Sequence, residues 1–218
     1  MDNNLKLLID RLEAERCLEK NEYKMLIEGF SEEPAAYAAS KADRIRQSIY
    51  GKDVYIRGLI EVSNICANDC LYCGIRKSNA QCARYRLPLE TVLECCRKGY
   101  ELGFRTFVMQ GGEDGFFTAE HICRYVSSIK KIFPDCAVTL SLGEYSKEEY
   151  KAMYDAGADR YLLRHETADK AHYEKLHPAS MSFEKRMKCL ENIKETGFQT
   201  GCGFMVGSPY QTSDTLAA

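Results

Sequence analysis

The sequence lacks an excess of charge of either sign, a long hydrophobic run and a segment of low complexity. Its 218 residues carry a net charge of −2, which gives no reason to expect binding to nucleic acid or to an anionic membrane. No apolar run approaches the roughly 18–20 residues that a membrane-spanning helix needs. We find no flexible linker, and the length is ample for one sizeable hydrophobic core or at most two small ones.

The N-terminus also lacks the apolar stretch of a signal peptide. Its opening residues, MDNNLKLLIDRLEAERCLEK, carry charges throughout, so the location expected by default is the cytoplasm. The count of 11 cysteines is odd, which in a reducing compartment argues against a disulfide framework. Six of them fall in helix-like or strand-like apolar patterns and are interpreted as small buried hydrophobic residues: Cys95, Cys96, Cys123, Cys136, Cys189 and Cys202.

Residues 1–50 are predicted to form an N-terminal helical segment. The first helix is indicated by apolar residues at helical spacing, namely Leu5, Leu8, Ile9 and Leu12. Ser31 is placed to cap a third helix that has Pro34 in its first turn. The pattern changes after Gly51, and residues 51–218 are predicted to form a second domain.

Strand-like and helix-like segments alternate through this second domain. The predicted strands cover residues 54–63, 105–110, 137–143, 159–166 and 198–207. The predicted helices between them cover residues 86–104, 117–133, 146–157 and 182–197. Ser146 and Glu149 have the spacing of a capping box at the start of the third of these helices. The alternation indicates parallel βα units joined by right-handed crossovers.

Polar or glycine-rich residues follow all five predicted strands. In a TIM-type barrel, the residues after the strands meet at one mouth, whereas an open doubly wound sheet usually places helices on both of its faces. We therefore favour an α/β fold in which about five βα units form a partial TIM-type (βα) barrel. Five strands cannot close a ring of eight.

Three cysteines with the spacing C-x3-C-x2-C follow the first predicted strand: Cys66, Cys70 and Cys73. Thiolates bind soft or borderline metals. A structural zinc site normally needs four protein ligands, and no second cysteine or histidine pair follows at zinc-finger spacing. In a cube of four irons, three thiolates leave one iron open for a substrate or cofactor. A zinc site with a remote fourth ligand and three unrelated buried cysteines remain as alternatives.

This spacing, with an aromatic residue directly before the third cysteine, resembles the signature of the radical S-adenosylmethionine (SAM) enzymes. In that superfamily, the open iron of a 4Fe–4S cluster binds SAM, and transfer of one electron yields a 5′-deoxyadenosyl radical. The resemblance implies that Tyr72 lies near the adenine. The GGED segment resembles the superfamily's GGE segment, so Gly111, Gly112 and Glu113 are expected to bind the cofactor's amino group. A plain turn is the alternative interpretation of that segment.

Further segments narrow the resemblance to the HydE family, radical enzymes that help to assemble the active-site cluster of FeFe-hydrogenase. They occur in the same order as in that family: CLYCGIRKSN, ARYRL, QGGED, TLSLGE, ADRYLLRHETA, FEKRMKCL and GFMVGSP. The resemblance covers residues 55–212. It implies a small or organometallic iron substrate, other hydrogenase maturases as partners and a reductant such as ferredoxin or flavodoxin. A mutase similar to methylornithine synthase and a non-catalytic iron–sulfur module remain as alternatives.

The fourth predicted strand places charged residues on one face. Arg160, Arg164 and Glu166 alternate along it, although strands of parallel sheets are normally apolar on both faces. One interpretation is an internal salt-bridge network. The other is that this face lines the barrel interior, where the two arginines bind an anionic substrate. By resemblance, Glu166 and Arg186 contact SAM, and Arg186 binds its carboxylate.

Two hydroxyl residues of the third strand, Thr139 and Ser141, share one face and are also expected to reach the cofactor. His165 is expected to be structural, and the other three histidines are expected to be surface or cap residues: His121, His172 and His177. Chains of the resembled family continue through three more βα units. We therefore expect a chain of this length on its own to be poorly soluble or inactive.

Overall fold

A computed structural model describes residues 2–218. They fall into two compact units, one made of residues 2–55, 167–169 and 206–218, the other of residues 56–166 and 170–205. Within this described range, no helix is both long enough and apolar enough to span a membrane.

The elements follow the predicted order. The helices are α1 (Asn3–Glu15), α2 (Lys20–Glu28), α3 (Glu32–Tyr50), α4 (Leu89–Glu101), α5 (Ala119–Ile132), α6 (Lys147–Asp155), α7 (Lys170–Leu176), α8 (Phe183–Thr196) and α9 (Ser213–Leu216). The strands are β1 (Gly58–Ser63), β2 (Thr106–Gly111), β3 (Ala137–Ser141), β4 (Arg160–Leu162) and β5 (Gln199–Gly201). The capping box predicted at the start of α6 is present.

The first unit is helical, as predicted for the N-terminal residues. The ammonium group of Lys41, on α3, lies 2.9 Å from a carboxylate oxygen of Asp10 and also contacts Glu13, so it ties α3 to α1. Ser31 stands at the N-cap position of α3 and Pro34 lies in the first turn, as predicted. The side chain of Ser31, however, makes no capping hydrogen bond.

The second unit contains a five-stranded parallel sheet in which each strand pairs with its neighbour in sequence. One row of aligned residues crosses the whole sheet: Ile60, Met109, Leu140, Tyr161 and Thr200. The α/β fold of parallel βα units is therefore confirmed.

The two faces of this sheet differ in polarity. One face packs on the helices and forms the core, with side chains that include Val62, Phe107, Met109, Val138 and Leu140. The strand residues between these point to the other face, which carries Glu61, Gln110, Ser141 and Arg160 among others. Alternation along each strand thus separates an apolar core from a polar face on which a site can be built.

The last two strands are much shorter than predicted. β4 ends at Leu162, and Glu166, four residues later, has a left-handed φ of 65°. Backbone hydrogen bonds between the two segments nevertheless continue beyond β4. The N–H of Leu163 donates to the carbonyl oxygen of Gly201 at 2.9 Å, and the N–H of His165 donates to the carbonyl oxygen of Gly203 at 3.1 Å. The structure also adds α7, which the sequence did not predict.

Two cysteines predicted to be buried are exposed. Cys95 lies on the solvent side of α4, next to the fully buried Cys96, and Cys202 follows the end of β5. The prediction was wrong there because adjacent residues of a helix face different directions and because β5 is short. Cys96, Cys136 and Cys189 are buried as predicted, and Cys123 is half-buried.

Candidate active site

A cavity of about 390 Å³ lies at the carboxyl ends of the first four strands. Most of the residues that the sequence singled out line it together: Cys66, Cys70, Tyr72, Cys73, Gly111, Gly112, Glu113, Ser141, Arg164, Glu166 and Arg186. Met181 lines the same cavity, and the sequence did not predict it. Residues far apart in sequence thus meet where polar segments follow parallel strands.

Two of the singled-out residues, Thr139 and Arg160, line a second cavity of about 260 Å³ instead. Leu162 borders both cavities. The hydroxyl oxygen of Thr139 is buried and has no hydrogen-bond partner, whereas the guanidinium group of Arg160 contacts Gln199 and Thr106. The second cavity lies nearer the amino ends of the strands, so these two residues line a different part of the sheet from the cysteines.

Arg84 binds the loop that carries the cysteines. Its guanidinium group donates to four backbone carbonyl oxygens, at 2.5, 2.8, 2.7 and 3.2 Å, which belong to Asn64, Ile75, Arg76 and Asn79. The bonded carbonyls flank the three cysteines on both sides. A loop without regular secondary structure leaves many of its carbonyls without ladder partners, and this one guanidinium group donates to four of them.

Asp114 links the cysteine loop to the loop after β2. It accepts two parallel bonds from Arg86, at 2.7 and 2.8 Å, and one from the hydroxyl of Ser63 at 2.7 Å. The backbone N–H of Phe116 donates to it at 3.1 Å. Its side chain is 1% exposed. Burial alone raises the pKa of this carboxyl, but Arg86, Phe116 and Ser63 together hold the pKa below its usual value.

We expect Asp114→Asn to lower the free energy of unfolding by about 2 kcal/mol, because it removes the charge from a buried, bidentate pair. Since the folded-state pKa of Asp114 is depressed, its contribution is fully present above the unfolded pKa and is lost as the pH falls through the folded pKa. Chemical denaturation at a series of acidic pH values should therefore show the wild-type and variant stabilities converging as the pH decreases. A constant difference at all pH values would contradict this assignment.

The loops around the cavity approach each other closely at Gly112. A Cβ atom at that position would lie 2.3 Å from the carbonyl oxygen of Ile65 and 2.7 Å from the Cβ atom of Cys66. The N–H of Ala67 donates to the carbonyl oxygen of Glu113 at 2.9 Å. The GGED loop therefore lies directly against the cysteine loop, and only glycine fits at the point of contact.

Arg186 lies between two carboxylates at the edge of the cavity. Its guanidinium group is 3.1 Å from Glu113 and 2.9 Å from Glu144, and its side chain is 9% exposed. Burial lowers the pKa of Arg186, but the two carboxylates outweigh this effect and raise the pKa. Burial also raises the pKa of Glu113 and of Glu166, against the opposing influence of nearby arginines.

The end of α7 and the segment that follows it contact the cysteine loop at three points. The N–H of Leu71 donates to the carbonyl of Leu176 at 3.0 Å, and the thiol of Cys70 lies 3.5 Å from the thioether sulfur of Met181. The third contact joins Tyr72 to His177 at 3.0 Å. His177 is buried, as is His172, so the prediction that these histidines lie at the surface was wrong. Their burial follows from α7, which the sequence did not predict.

The donor set and the space around it fit an iron–sulfur cluster. All three thiols are half-buried and face one cavity, and burial raises the pKa of Cys70 to about 11. Nowhere in residues 2–218 do three His, Cys, Asp or Glu side chains surround one point closely enough to hold a single metal ion. The thiolates of a cubane bind separate irons and need no common point.

The radical SAM superfamily model matches residues 60–218. The chain belongs to the radical SAM superfamily. The resemblance that the sequence suggested is confirmed at this level, and the superfamily is one of enzymes that are expected to bind a 4Fe–4S cluster and SAM.

Relatives within the radical SAM superfamily point in two directions. The chain is 48% identical over 175 residues to the FeFe-hydrogenase maturase subunit HydE of Thermotoga maritima, a match that covers 80% of this chain and 49% of that protein. It is 27% identical over 217 residues to 3-methylornithine synthase of Methanosarcina acetivorans, covering 99% and 56% of the two chains. The chain thus spans about half the length of these curated relatives.

The fold resembles the crystal structure of methylornithine synthase PylB. The TM-score is 0.85 at 24% sequence identity, and the match covers 96% of this chain and 61% of that one. At this identity the likeness shows the radical SAM fold, including the α/β architecture, and leaves the substrate open.

Proposed function

We propose that the chain is the cluster-bearing part of a HydE-like radical SAM enzyme that acts in assembly of the FeFe-hydrogenase active site. The observation that carries the proposal is the convergence of Cys66, Cys70 and Cys73 with the GGED loop and Arg186 on one cavity. The 48% identity to HydE supports the choice of this family among radical SAM enzymes.

In this proposal, the three thiolates would hold a 4Fe–4S cluster, which when bound would supply the one-electron reduction of the SAM sulfonium. The chain's own residues bind and orient the cofactor. Carbonyl groups of Gly111 and Gly112 would accept from its ammonium group, because both residues line the cavity and glycine lets the backbone come close to a ligand. Arg186, which also pairs with Glu113 and Glu144, would bind its carboxylate.

The remaining cavity residues have proposed roles set by their chemistry. Glu166 and Ser141 are proposed to accept hydrogen bonds from the ribose or the ammonium group of SAM. The aromatic ring of Tyr72 is proposed to pack on the adenine of SAM. Arg164 donates to Gln110 at 3.2 Å and lines the same cavity, so it is proposed to bind an anionic group of the substrate. Arg160 and Thr139 would bind substrate or cofactor from the second cavity.

The proposed substrate is a small or organometallic iron compound with anionic character. The proposed partners are other hydrogenase maturases and an electron donor such as ferredoxin or flavodoxin. A methylornithine-type mutase is the second candidate, supported by the 27% identity to 3-methylornithine synthase over 217 residues. Its substrate would be lysine-derived and cationic, and two arginines on the cavity-facing side of the sheet would repel it.

Electron paramagnetic resonance (EPR) of the anaerobically reconstituted, reduced protein tests the proposal. We expect a 4Fe–4S signal that changes when SAM is added, and we expect Cys70→Ala to abolish the signal because an iron loses its thiolate. Cys95→Ala is the matched control, since Cys95 is exposed and outside the loop, and it should leave the spectrum unchanged. A cluster signal indifferent to SAM, or zinc in place of iron, would exclude a radical SAM function for this chain.

A further inference from the structure

His177 is a buried histidine with no part in the proposed chemistry, and it contacts Tyr72, a residue of the cavity wall. Its ring nitrogen Nε2 lies 3.0 Å from the hydroxyl of Tyr72, and the two rings meet edge to face with their centroids 5.4 Å apart. Tyr72 lines the cavity between two of the cysteines and is 36% exposed. His177 thus holds the hydroxyl of Tyr72, while the ring of Tyr72 borders the cavity.

The second nitrogen of His177 determines the direction of this hydrogen bond. Nδ1 lies 2.9 Å from the carbonyl oxygen of Tyr173. A carbonyl only accepts, so Nδ1 carries the proton, and in a neutral imidazole Nε2 is then an acceptor. The hydroxyl of Tyr72 therefore donates to His177. Burial, the largest influence on this ring, lowers the pKa of His177 and keeps the ring neutral.

His177 itself is held firmly. Its ring stacks on the ring of Tyr173, with centroids 3.8 Å apart and an angle of 20° between the planes. Tyr173 is 1% exposed and packs edge to face on Phe183, at the start of α8. Since stacking fixes the plane of the imidazole and the Tyr173 carbonyl fixes its rotation, Nε2 is a preorganised acceptor.

The backbone next to this pair is also joined. The N–H of Leu71, which precedes Tyr72, donates to the carbonyl of Leu176, which precedes His177. Two neighbouring residues of the cysteine loop are therefore bound to two neighbouring residues at the end of α7. A tyrosine on a loop without regular secondary structure would otherwise exchange between rotamers, at an entropic cost to any ligand that needs one of them.

We infer that His177 is a positioning residue, which fixes the ring of Tyr72 in the cavity wall in the orientation that favours binding of SAM. The inference rests on the proposed function for the identity of the ligand. It goes beyond that function because it assigns a role to His177, which acts on the ligand through Tyr72.

Binding of SAM to the reconstituted protein tests the inference with three variants. His177→Phe keeps an aromatic ring against Tyr173 but removes the acceptor, and we expect the dissociation constant for SAM to rise roughly fivefold, as for the loss of one hydrogen bond. His177→Gln places an amide oxygen near the position of Nε2 and should restore the wild-type value to within about twofold. Tyr72→Phe should resemble His177→Phe, and the double variant should be no weaker than either single one.

A merely structural role for His177 predicts a different pattern. His177→Phe would then weaken SAM binding to the same degree in the Tyr72→Phe background, and His177→Gln would give no rescue. Either result would overturn the inference.

Two further measurements use the protein without its cluster, so they separate this inference from the proposed function. Nitrogen-15 NMR of the His177 ring, assigned by its loss in His177→Gln, should show a protonated Nδ1 and an unprotonated Nε2. In chemical denaturation of the two single variants and the double variant, the losses in free energy of unfolding should not add, which would show coupling between Tyr72 and His177. If the wild-type protein forms no cluster or ignores SAM, the proposed function fails. A proton on Nε2, or losses in free energy of unfolding that add in the double variant, would refute the contact between Tyr72 and His177 itself.

Discussion

Gly112→Ala is expected to prevent assembly of the iron–sulfur cluster and to destabilise the fold. Its Cβ atom would lie 2.3 Å from a backbone oxygen and 2.7 Å from the Cβ atom of Cys66, distances at which atoms overlap. The neighbours are backbone or the first side-chain atom of a proposed cluster ligand, so no flexible side chain can move aside. The overlap is relieved only when the GGED and cysteine loops separate. We expect a loss near the upper end of the roughly 1–3 kcal/mol typical of overpacked sites.

Gly115→Ala is the matched control for that variant. Gly115 lies in the same loop, and a Cβ atom there would have no neighbour within 4 Å. Iron content after reconstitution and the midpoint of chemical denaturation should therefore stay at their wild-type values in Gly115→Ala. If Gly112→Ala took up iron and unfolded like the control, the close approach of the two loops would be refuted.

Arg84→Ala is expected to cause the second large loss. The substitution leaves four backbone carbonyls without their shared donor, and nearby water can replace only part of those bonds because the guanidinium group is half-buried. We expect a loss of about 3 kcal/mol in the free energy of unfolding. Amide hydrogen exchange should accelerate across residues 64–79, while the exchange of the core strands changes only in proportion to the global loss.

Arg97→Ala serves as the control for removal of an arginine. Arg97 is on α4, its side chain is 50% exposed, and it pairs with Glu94 three residues earlier. Such pairs contribute less than about 0.5 kcal/mol. Arg84→Lys is a further comparison, since an ammonium group cannot bond four carbonyls spread in the plane of a guanidinium group. Equal stabilities of the Arg84 and Arg97 alanine variants would show that the four bonds contribute nothing.

Local patterns in the sequence predicted the βα alternation and the polar residues after each strand. The capping box at Ser146 depends only on residues within one turn, and the position of the polar residues follows from the geometry of parallel sheets. Cys66 and Glu113 could be grouped in advance because their segments follow successive strands. Arg186, in contrast, was suggested only by the family resemblance.

The contacts that hold the cavity together could not be predicted in the same way. Arg84 and Asp114 are charged residues in loops, and the sequence alone does not distinguish a buried anchor from a solvated side chain. Their partners are backbone carbonyls or residues such as Arg86 and Ser63, whose proximity depends on the tertiary fold. The same holds for His177, whose burial requires α7.

The lengths of β4 and β5 also escaped prediction. Alternation continues in the sequence past Leu162, and the side chains of Leu163 and Arg164 still point to opposite sides. Beyond Leu162 the regular ladder gives way to separate bonds, and Glu166 adopts a left-handed conformation that no local signal marks, because such a φ is uncommon in residues other than glycine, asparagine and aspartate.

The sequential order of the sheet has a consequence for biosynthesis. The ribosome delivers β1 and the cysteine loop before the other four strands, and the groups around this loop emerge one after another: Arg84, then Asp114, then His177 and Arg186. At usual elongation rates, on the order of ten seconds separate the synthesis of Cys70 from that of Arg186. During that time the three thiols lack their complete loop, so they are accessible to oxidants and stray metal ions. Delivery of iron and sulfide is therefore best timed after α8 has been synthesised.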